Sequence, residues 1–187
     1  MRIAGAPNIA MAAASLLMPF GLRRRALEQL FARTAAAFGT PVPSPRTRRT
    51  NGRLAEYASF TRARAEEALR RGEDLAALDR RLHRAAYGLG ASYRVRLGVR
   101  SVSGAMAAAR LIYRNLGIDF HGTADGEVII RQCGFARTYT PQVCRLVSAL
   151  DRGLMAGLAR GGELSFRQRI TEGADSCRAC LEGVRCA

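Results

Sequence analysis

The spacing of apolar residues changes along this chain, and that change constrains the fold more than any other feature. Before about residue 115, most apolar residues recur at steps of three and four, the period of an amphipathic helix. After it, short runs with a period of two flank one further helical stretch. Helices that precede short strands are typical of an α+β domain rather than of an alternating α/β fold.

Three amphipathic helices are predicted in the first half of the chain, over residues 19–38, 54–71 and 74–87. Gly88 and Gly90 follow the third helical stripe. Because glycine destabilises a helix interior, we expect these two residues to end that helix. Residues 92–99 then alternate apolar and polar side chains, which predicts a strand.

Two hairpins with a helix between them are predicted in the second half, after a fourth helix that ends near residue 115. The first hairpin surrounds Asp125-Gly126, a dipeptide that favours tight turns. Thr140 and Pro141 begin a helix that runs to about residue 159, and the second hairpin covers residues 163–182. We therefore predict an α+β fold in which N-terminal helices precede a small antiparallel sheet of hairpins, in the order hairpin-helix-hairpin, packed on helices.

The length of the chain, 187 residues, suits one compact domain with an extension. We divide it into an N-terminal apolar segment and amphipathic helix (residues 1–39), a Pro/Arg-rich linker (residues 40–52) and an α+β domain with a Cys-rich C-terminal part (residues 53–187). Residues 3–22 carry no charge and have the length of a membrane span, but alanine, glycine and proline leave them only modestly apolar. We expect a cytoplasmic protein, with membrane association through residues 3–22 as the alternative.

The formal net charge of +15 raises the question of a nucleic-acid partner, because clustered cations bind phosphates. All 30 basic residues are arginine, and they are spread along the whole chain rather than clustered. There is no tryptophan and no motif that interleaves aromatic with basic residues. The sequence therefore argues against nucleic acid as the partner and leaves a small-molecule substrate as the expected one.

All five cysteines lie in the last third of the chain, at Cys133, Cys144, Cys177, Cys180 and Cys186. A thiolate is both a nucleophile and a soft metal ligand, so this clustering places the candidate chemistry near the C-terminus. The odd count argues against a fully paired disulfide framework.

Three of these cysteines fall where predicted elements meet. Cys144 lies one turn inside the second-half helix, and Asp151 follows two turns later on the same face. Cys133 ends the strand before that helix, and Cys177 begins the last strand. In a regular strand Cys180 points away from Cys177, whereas a tight turn would bring both thiols to one ion.

The run QCGFARTYTPQVCRLVSALDRGLMAGLARGGELSFRQRITEGADSCRACLE resembles the C-terminal part of the L-2-amino-thiazoline-4-carboxylic acid hydrolase family. In that family a Cys, a second Cys with an Asp downstream, and an ending with a strand, Gly and Cys recur. The resemblance covers residues 127–182 of this chain. Carried over, it implies site residues Cys133, Cys144, Asp151, Gly173 and Cys177.

Such a hydrolase adds water to an amidine-like carbon and opens a ring. We expect Cys144 to act as nucleophile or metal ligand, with its thiolate favoured by the dipole at the helix start. Asp151 is the expected general base or orienting group, and Cys133 and Cys177 are its partners.

The remaining candidates are a base and a set of cations. His121 lies at a hairpin end close in sequence to the site, and we count it among the catalytic candidates. An anionic carboxylate substrate needs a cation, for which Arg131, Arg137 and Arg178 are nearest in sequence.

Two other functions fit the same residues. The first is a non-catalytic or redox protein that holds Zn or an iron–sulfur cluster through Cys133, Cys144, Cys177 and Cys180. The second is a membrane-associated accessory protein, suggested by residues 3–22. The sequence does not predict an oligomeric state.

Overall fold

The structure is a computed structural model, and it describes residues 20–183 of the chain, with side chains from Arg23 onward. Most of the predicted apolar segment at residues 3–22 lies outside the described residues, and so does Cys186.

In residues 20–183, six α-helices and four strands form an α+β fold, which confirms the predicted class. The helices are α1 (Phe20–Ala37), α2 (Thr50–Arg71), α3 (Leu75–Arg96), α4 (Val102–Asn115), α5 (Pro141–Val147) and α6 (Ala149–Ala159). The strands are β1 (Ile118–Gly122), β2 (Glu127–Cys133), β3 (Glu163–Gln168) and β4 (Cys177–Glu182), with a short 3₁₀ helix at Ile170–Glu172. In residues 20–183 no helix combines the length and the apolar character needed to cross a membrane.

The four strands make one antiparallel sheet in the order β1-β2-β4-β3. Both predicted hairpins are present, and they join through pairing of β2 with β4, where Ile130 lies opposite Cys177. Alternate residues of these central strands, including Val128 and Ala179, are buried against the helices. The first residue of β4 therefore lies on the inner face of the sheet, beside the end of β2.

The predicted end of the third helix at Gly88 and Gly90 is wrong, and so is the predicted strand at residues 92–99, because α3 continues to Arg96. The reason is contact with α6. A Cβ atom at Gly90 would lie 2.2 Å from the Leu154 carbonyl oxygen. The glycine therefore allows two helix backbones to touch, and this packing outweighs its low helix propensity.

The predicted single helix after Thr140 is divided in two at Ser148. Thr140 caps α5 as predicted, and its hydroxyl accepts a hydrogen bond from the Val143 N–H. Ser148 instead turns its hydroxyl back to the Arg145 carbonyl oxygen at 2.7 Å. As a result, Asp151 lies in the first turn of a new helix, α6.

Helix α1 packs into the same core as the rest of the domain, with Leu27 and Phe31 buried. The predicted linker at residues 40–52 ends at residue 49, since α2 begins at Thr50. Arg53 joins the first two helices: it is buried, lies 4.2 Å from the centroid of the Phe31 ring and donates to Glu28 at 2.9 Å.

We predict that Gly90→Ala destabilises the protein by about 2 kcal/mol or more, because the added Cβ would force α3 away from α6. Gly88→Ala is the matched control on the same helix, since its Cβ would meet only the mobile end of Arg33 at 2.8 Å. Alanine favours a helix over glycine by about 1 kcal/mol, so Gly88→Ala should be neutral or stabilising. Urea unfolding measures the free energy of unfolding of both variants. Equal changes in the two variants would contradict the close contact between α3 and α6 at Gly90.

Candidate functional site

A cavity of about 150 Å³ lies between the inner face of the sheet and the helices. Its wall brings together four of the residues expected from the sequence, namely Cys133, Cys144, Asp151 and Cys177. They come from the end of β2, from α5, from the first turn of α6 and from the start of β4. Residues far apart in the chain thus meet at one place, as the sequence suggested.

Asp151 is the carboxylate of this group, and only part of its side chain reaches solvent. The Tyr113 hydroxyl donates a hydrogen bond to Asp151 Oδ1 at 2.8 Å. Burial raises the pKa of Asp151 from 3.8 to about 6, against the lowering effects of Tyr113, Arg169 and Arg152. The carboxyl group therefore changes protonation state near neutral pH, which suits a general acid or base.

The three thiols are neutral at rest. Burial raises the pKa of Cys133 to about 12, and the nearby negative charge of Asp151 adds to that effect. Burial also raises the pKa of Cys144 and of Cys177. A thiolate in this cavity therefore requires a base that removes the proton during the reaction.

Burial raises the pKa of Cys144, so the thiolate that we expected the helix dipole to favour is not the resting form of this residue. Two neighbours act in the opposite direction. The Thr171 hydroxyl and the charge of Arg169 both lower the pKa of Cys144. The Thr171 hydroxyl nevertheless makes no well-oriented hydrogen bond within the described part of the chain.

Arg169 is a cation of the cavity wall that the sequence analysis did not select. Its Nη2 donates to Ser148 Oγ at 3.2 Å, and its guanidinium lies 4.4 Å from the centroid of the Phe166 ring. Its Nε is buried and has no hydrogen-bond partner among residues 20–183. A buried donor without an acceptor is costly, so the protein must offset this cost elsewhere.

A β-bulge explains why the sequence did not reveal Arg169. Regular alternation from Leu164 and Phe166 would place residue 169 on the outer face of the sheet. The pairing of β3 with β4 instead shifts between Phe166 and Gln168, which reverses the alternation. No signal in the sequence marks this shift.

Tyrosines form a second group that the sequence analysis missed. Tyr57, Tyr113 and Tyr139 all line the cavity. The hydroxyls of Tyr57 and Tyr139 are hydrogen-bonded to Thr34 and Thr61, respectively. Burial raises the pKa of all three tyrosines, so their hydroxyls stay protonated and serve as hydrogen-bonding groups rather than bases.

The structure does not bring His121 to the cavity. In β1, Ile118 and Phe120 are buried, whereas His121 and Asp119 lie on the other face of the sheet. His121 Nε2 and Asp119 Oδ1 are 2.8 Å apart. The expectation that His121 acts as a base at this site is therefore corrected, because strand alternation turns it outward.

The expected substrate-binding arginines, Arg131, Arg137 and Arg178, are exposed and lie outside the cavity wall. Their nearness in sequence is misleading, because the strands and the loop that carry them point them to solvent. Among the described residues, the cations that line the cavity are Arg23 and Arg169. Gly173 also lies apart from the wall, with φ 92° at the end of the 3₁₀ helix.

The four-thiol metal set is not assembled. Cys177 and Ala179 are buried on the inner face of β4, and alternation places Cys180 on the opposite face. Within residues 20–183 there is no group of three or more His, Cys, Asp or Glu side chains arranged to hold a metal ion. The four described cysteines are all free thiols.

Comparisons of the whole chain with protein-family models, with curated proteins and with solved structures gave no match.

We predict that Asp151→Asn stabilises the protein at pH 8. The folded-state pKa of about 6 lies above the unfolded value of 3.8, so the native protein loses stability as pH rises through this window. The asparagine variant avoids that loss, which is worth up to about 3 kcal/mol.

The check is urea unfolding between pH 4 and pH 8, with the exposed Asp175→Asn as control. The stability difference between Asp151→Asn and the wild type should vanish towards pH 4. A difference that does not change with pH would contradict the buried position of this carboxyl group.

Proposed function

We propose that this protein is a small-molecule hydrolase that opens a C–N or C–S bond at an amidine-like carbon. The observation that carries the proposal is the meeting of Cys144, Asp151 and Arg169 at one cavity. These side chains offer a nucleophile, a proton acceptor that titrates near neutral pH and an anion-binding cation. The resemblance of residues 127–182 to the L-2-amino-thiazoline-4-carboxylic acid hydrolase family, which we proposed from the sequence, would imply the same reaction class.

Cys144 is the best nucleophile of the three thiols. Cys133 is disfavoured because burial raises its pKa to about 12. Cys177 is buried, and its sulfur already accepts a hydrogen bond from the Ile170 N–H at 3.4 Å. Cys144 is partly exposed, and both Thr171 and Arg169 lower its pKa.

Asp151 moves the proton in this reaction. It accepts the proton of the Cys144 thiol as the sulfur bonds to the amidine carbon, and it then donates that proton to the ring atom that leaves. A water molecule next attacks the same carbon while Asp151 takes one of its protons. The carbon–sulfur bond to the enzyme breaks, and the proton returns to Cys144, so the enzyme is regenerated.

Arg169 binds the carboxylate of the substrate. Its guanidinium is held by Ser148 and by the Phe166 ring, and its side chain lines the cavity, so its positive charge attracts an incoming carboxylate. A charge-assisted hydrogen bond in a desolvated site is stronger than a neutral one. Arg169 therefore positions the ring so that its amidine carbon faces the thiol.

We place this reaction in the cytoplasm as part of the same proposal. Cys133, Cys144, Cys177 and Cys180 are free thiols, a state that a reducing compartment maintains.

Cys144→Ala should lower the turnover of L-2-amino-thiazoline-4-carboxylate at least 100-fold, because the nucleophile is lost. Cys180→Ala is the matched control, since this thiol lies on the outer face of the same sheet, and the activity of this variant should equal that of the wild type.

Asp151→Asn should lower kcat by a factor of about 100 or more, because the base is lost while the shape of the side chain is kept.

Turnover is measured by product formation, and circular dichroism checks that each variant is folded. Full activity in a folded Cys144→Ala variant would exclude this thiol as the nucleophile.

A further inference from the structure

Most of the cavity wall is apolar, and its polar side chains include the tyrosines described above and a few reacting groups. Cys144 comes from α5, Ser148 lies between α5 and α6, Asp151 comes from α6, and Arg169 comes from the segment that follows β3. Arg23, the other cation that lines the cavity among the described residues, is already engaged, because its side chain donates to the Asn115 carbonyl oxygen at 3.1 Å. Arg169 is therefore the cation that we expect to bind an anionic head group.

Much of the remaining wall is apolar. It includes the side chains of Leu30, Ala86, Leu89, Leu111 and Ile112, which belong to α1, α3 and α4. These side chains offer no hydrogen bonds, so a polar group placed against them would lose its contacts with water without compensation. The wall thus selects an apolar group on the part of the ligand that contacts these side chains.

The size of the cavity limits that group. A volume of about 150 Å³ is comparable to an apolar protein cavity that holds one benzene molecule. The ligand is therefore small, with room for a body of about five or six carbon atoms beside its polar head.

We propose that the cavity selects a small amphipathic carboxylate, held at its carboxylate by Arg169 and at an apolar body of five or six carbons by the wall of α1, α3 and α4. An amino-thiazoline carboxylate has the carboxylate that Arg169 would bind, but it carries polar groups at both ends and lacks the apolar body. The inference rests on the proposed function for the position of the head group, and it names the substrate class as ring amidines with an apolar substituent.

Binding of plain carboxylates tests the inference without any turnover. Each buried methylene contributes about fourfold in affinity, equivalent to about 0.8 kcal/mol. Calorimetry should therefore show that hexanoate binds at least about 50-fold more tightly than acetate. Decanoate should bind no more tightly than hexanoate. Adipate, which has the same six carbons but a second carboxylate, should bind no better than acetate.

Two variants test the two ends of the ligand separately. Arg169→Gln should weaken acetate and hexanoate by the same factor of about 10 or more, because the head group loses its partner. Ala86→Leu places a larger side chain in the cavity and should weaken hexanoate at least 10-fold while leaving acetate unchanged. Ala76→Leu is its control, since Ala76 is exposed on the same helix.

If Ala86→Leu does not fold, Ile112→Ala replaces it, because the loss of a partly buried wall residue enlarges the cavity. The preferred chain should then lengthen from hexanoate to octanoate. Equal affinity for acetate, hexanoate and adipate would overturn the inference. If Cys144-dependent turnover persists in that case, the proposed hydrolase function stands and only the substrate class is wrong.

Discussion

The close contact between α3 and α6 is the constraint on which the rest of the structure depends. Glycines on both helices allow the backbones to touch: a Cβ atom at Gly153 would lie 2.1 Å from the His83 carbonyl oxygen, and one at Gly157 would lie 2.4 Å from that of Tyr87. Because α6 is held this closely along its length, the position of its first turn is determined. That turn carries Asp151, so a packing contact made by residues without side chains places the carboxylate of the candidate site.

The second constraint is the free-energy cost of placing a carboxylate, Asp151, at that buried position. Asp151 is removed from most of the water that would stabilise its charge, and the hydrogen bond from Tyr113 compensates only in part, so its pKa remains high. The same low-polarity surroundings keep the thiols protonated. A site of this kind is less stable than an apolar core of the same shape. In the proposed reaction it would combine a neutral nucleophile with a base whose pKa is about 6, so reactivity and reduced stability would share an origin in desolvation.

Local sequence signals predicted the parts of the fold that local chemistry determines. Asp125-Gly126 marked the first hairpin, and Thr140 marked the start of α5. The order of elements placed Cys133, Cys144 and Cys177 near one another, but Cys133 faces inward only because the pairing of β1 with β2 shifts between Asp119 and Phe120. The wrong predictions concern features that are determined by tertiary packing. Gly90 was predicted to end a helix because Leu154, the residue that it contacts, is distant in sequence. Arg169 could not be distinguished from the other 29 arginines because no local sequence pattern marks the bulge that turns it inward.

The most direct test of the account is a titration of the Asp151 side-chain carboxyl by carbon-detected NMR in the wild-type protein. This carboxyl lies in a desolvated cavity beside Tyr113 and Arg169, so we expect a pKa of about 6. Arg169→Gln should raise that pKa further, because a neighbouring positive charge is lost. A pKa near the ordinary value of 3.8, unchanged in Arg169→Gln, would show that Asp151 is solvated and apart from Arg169, and would contradict the candidate site.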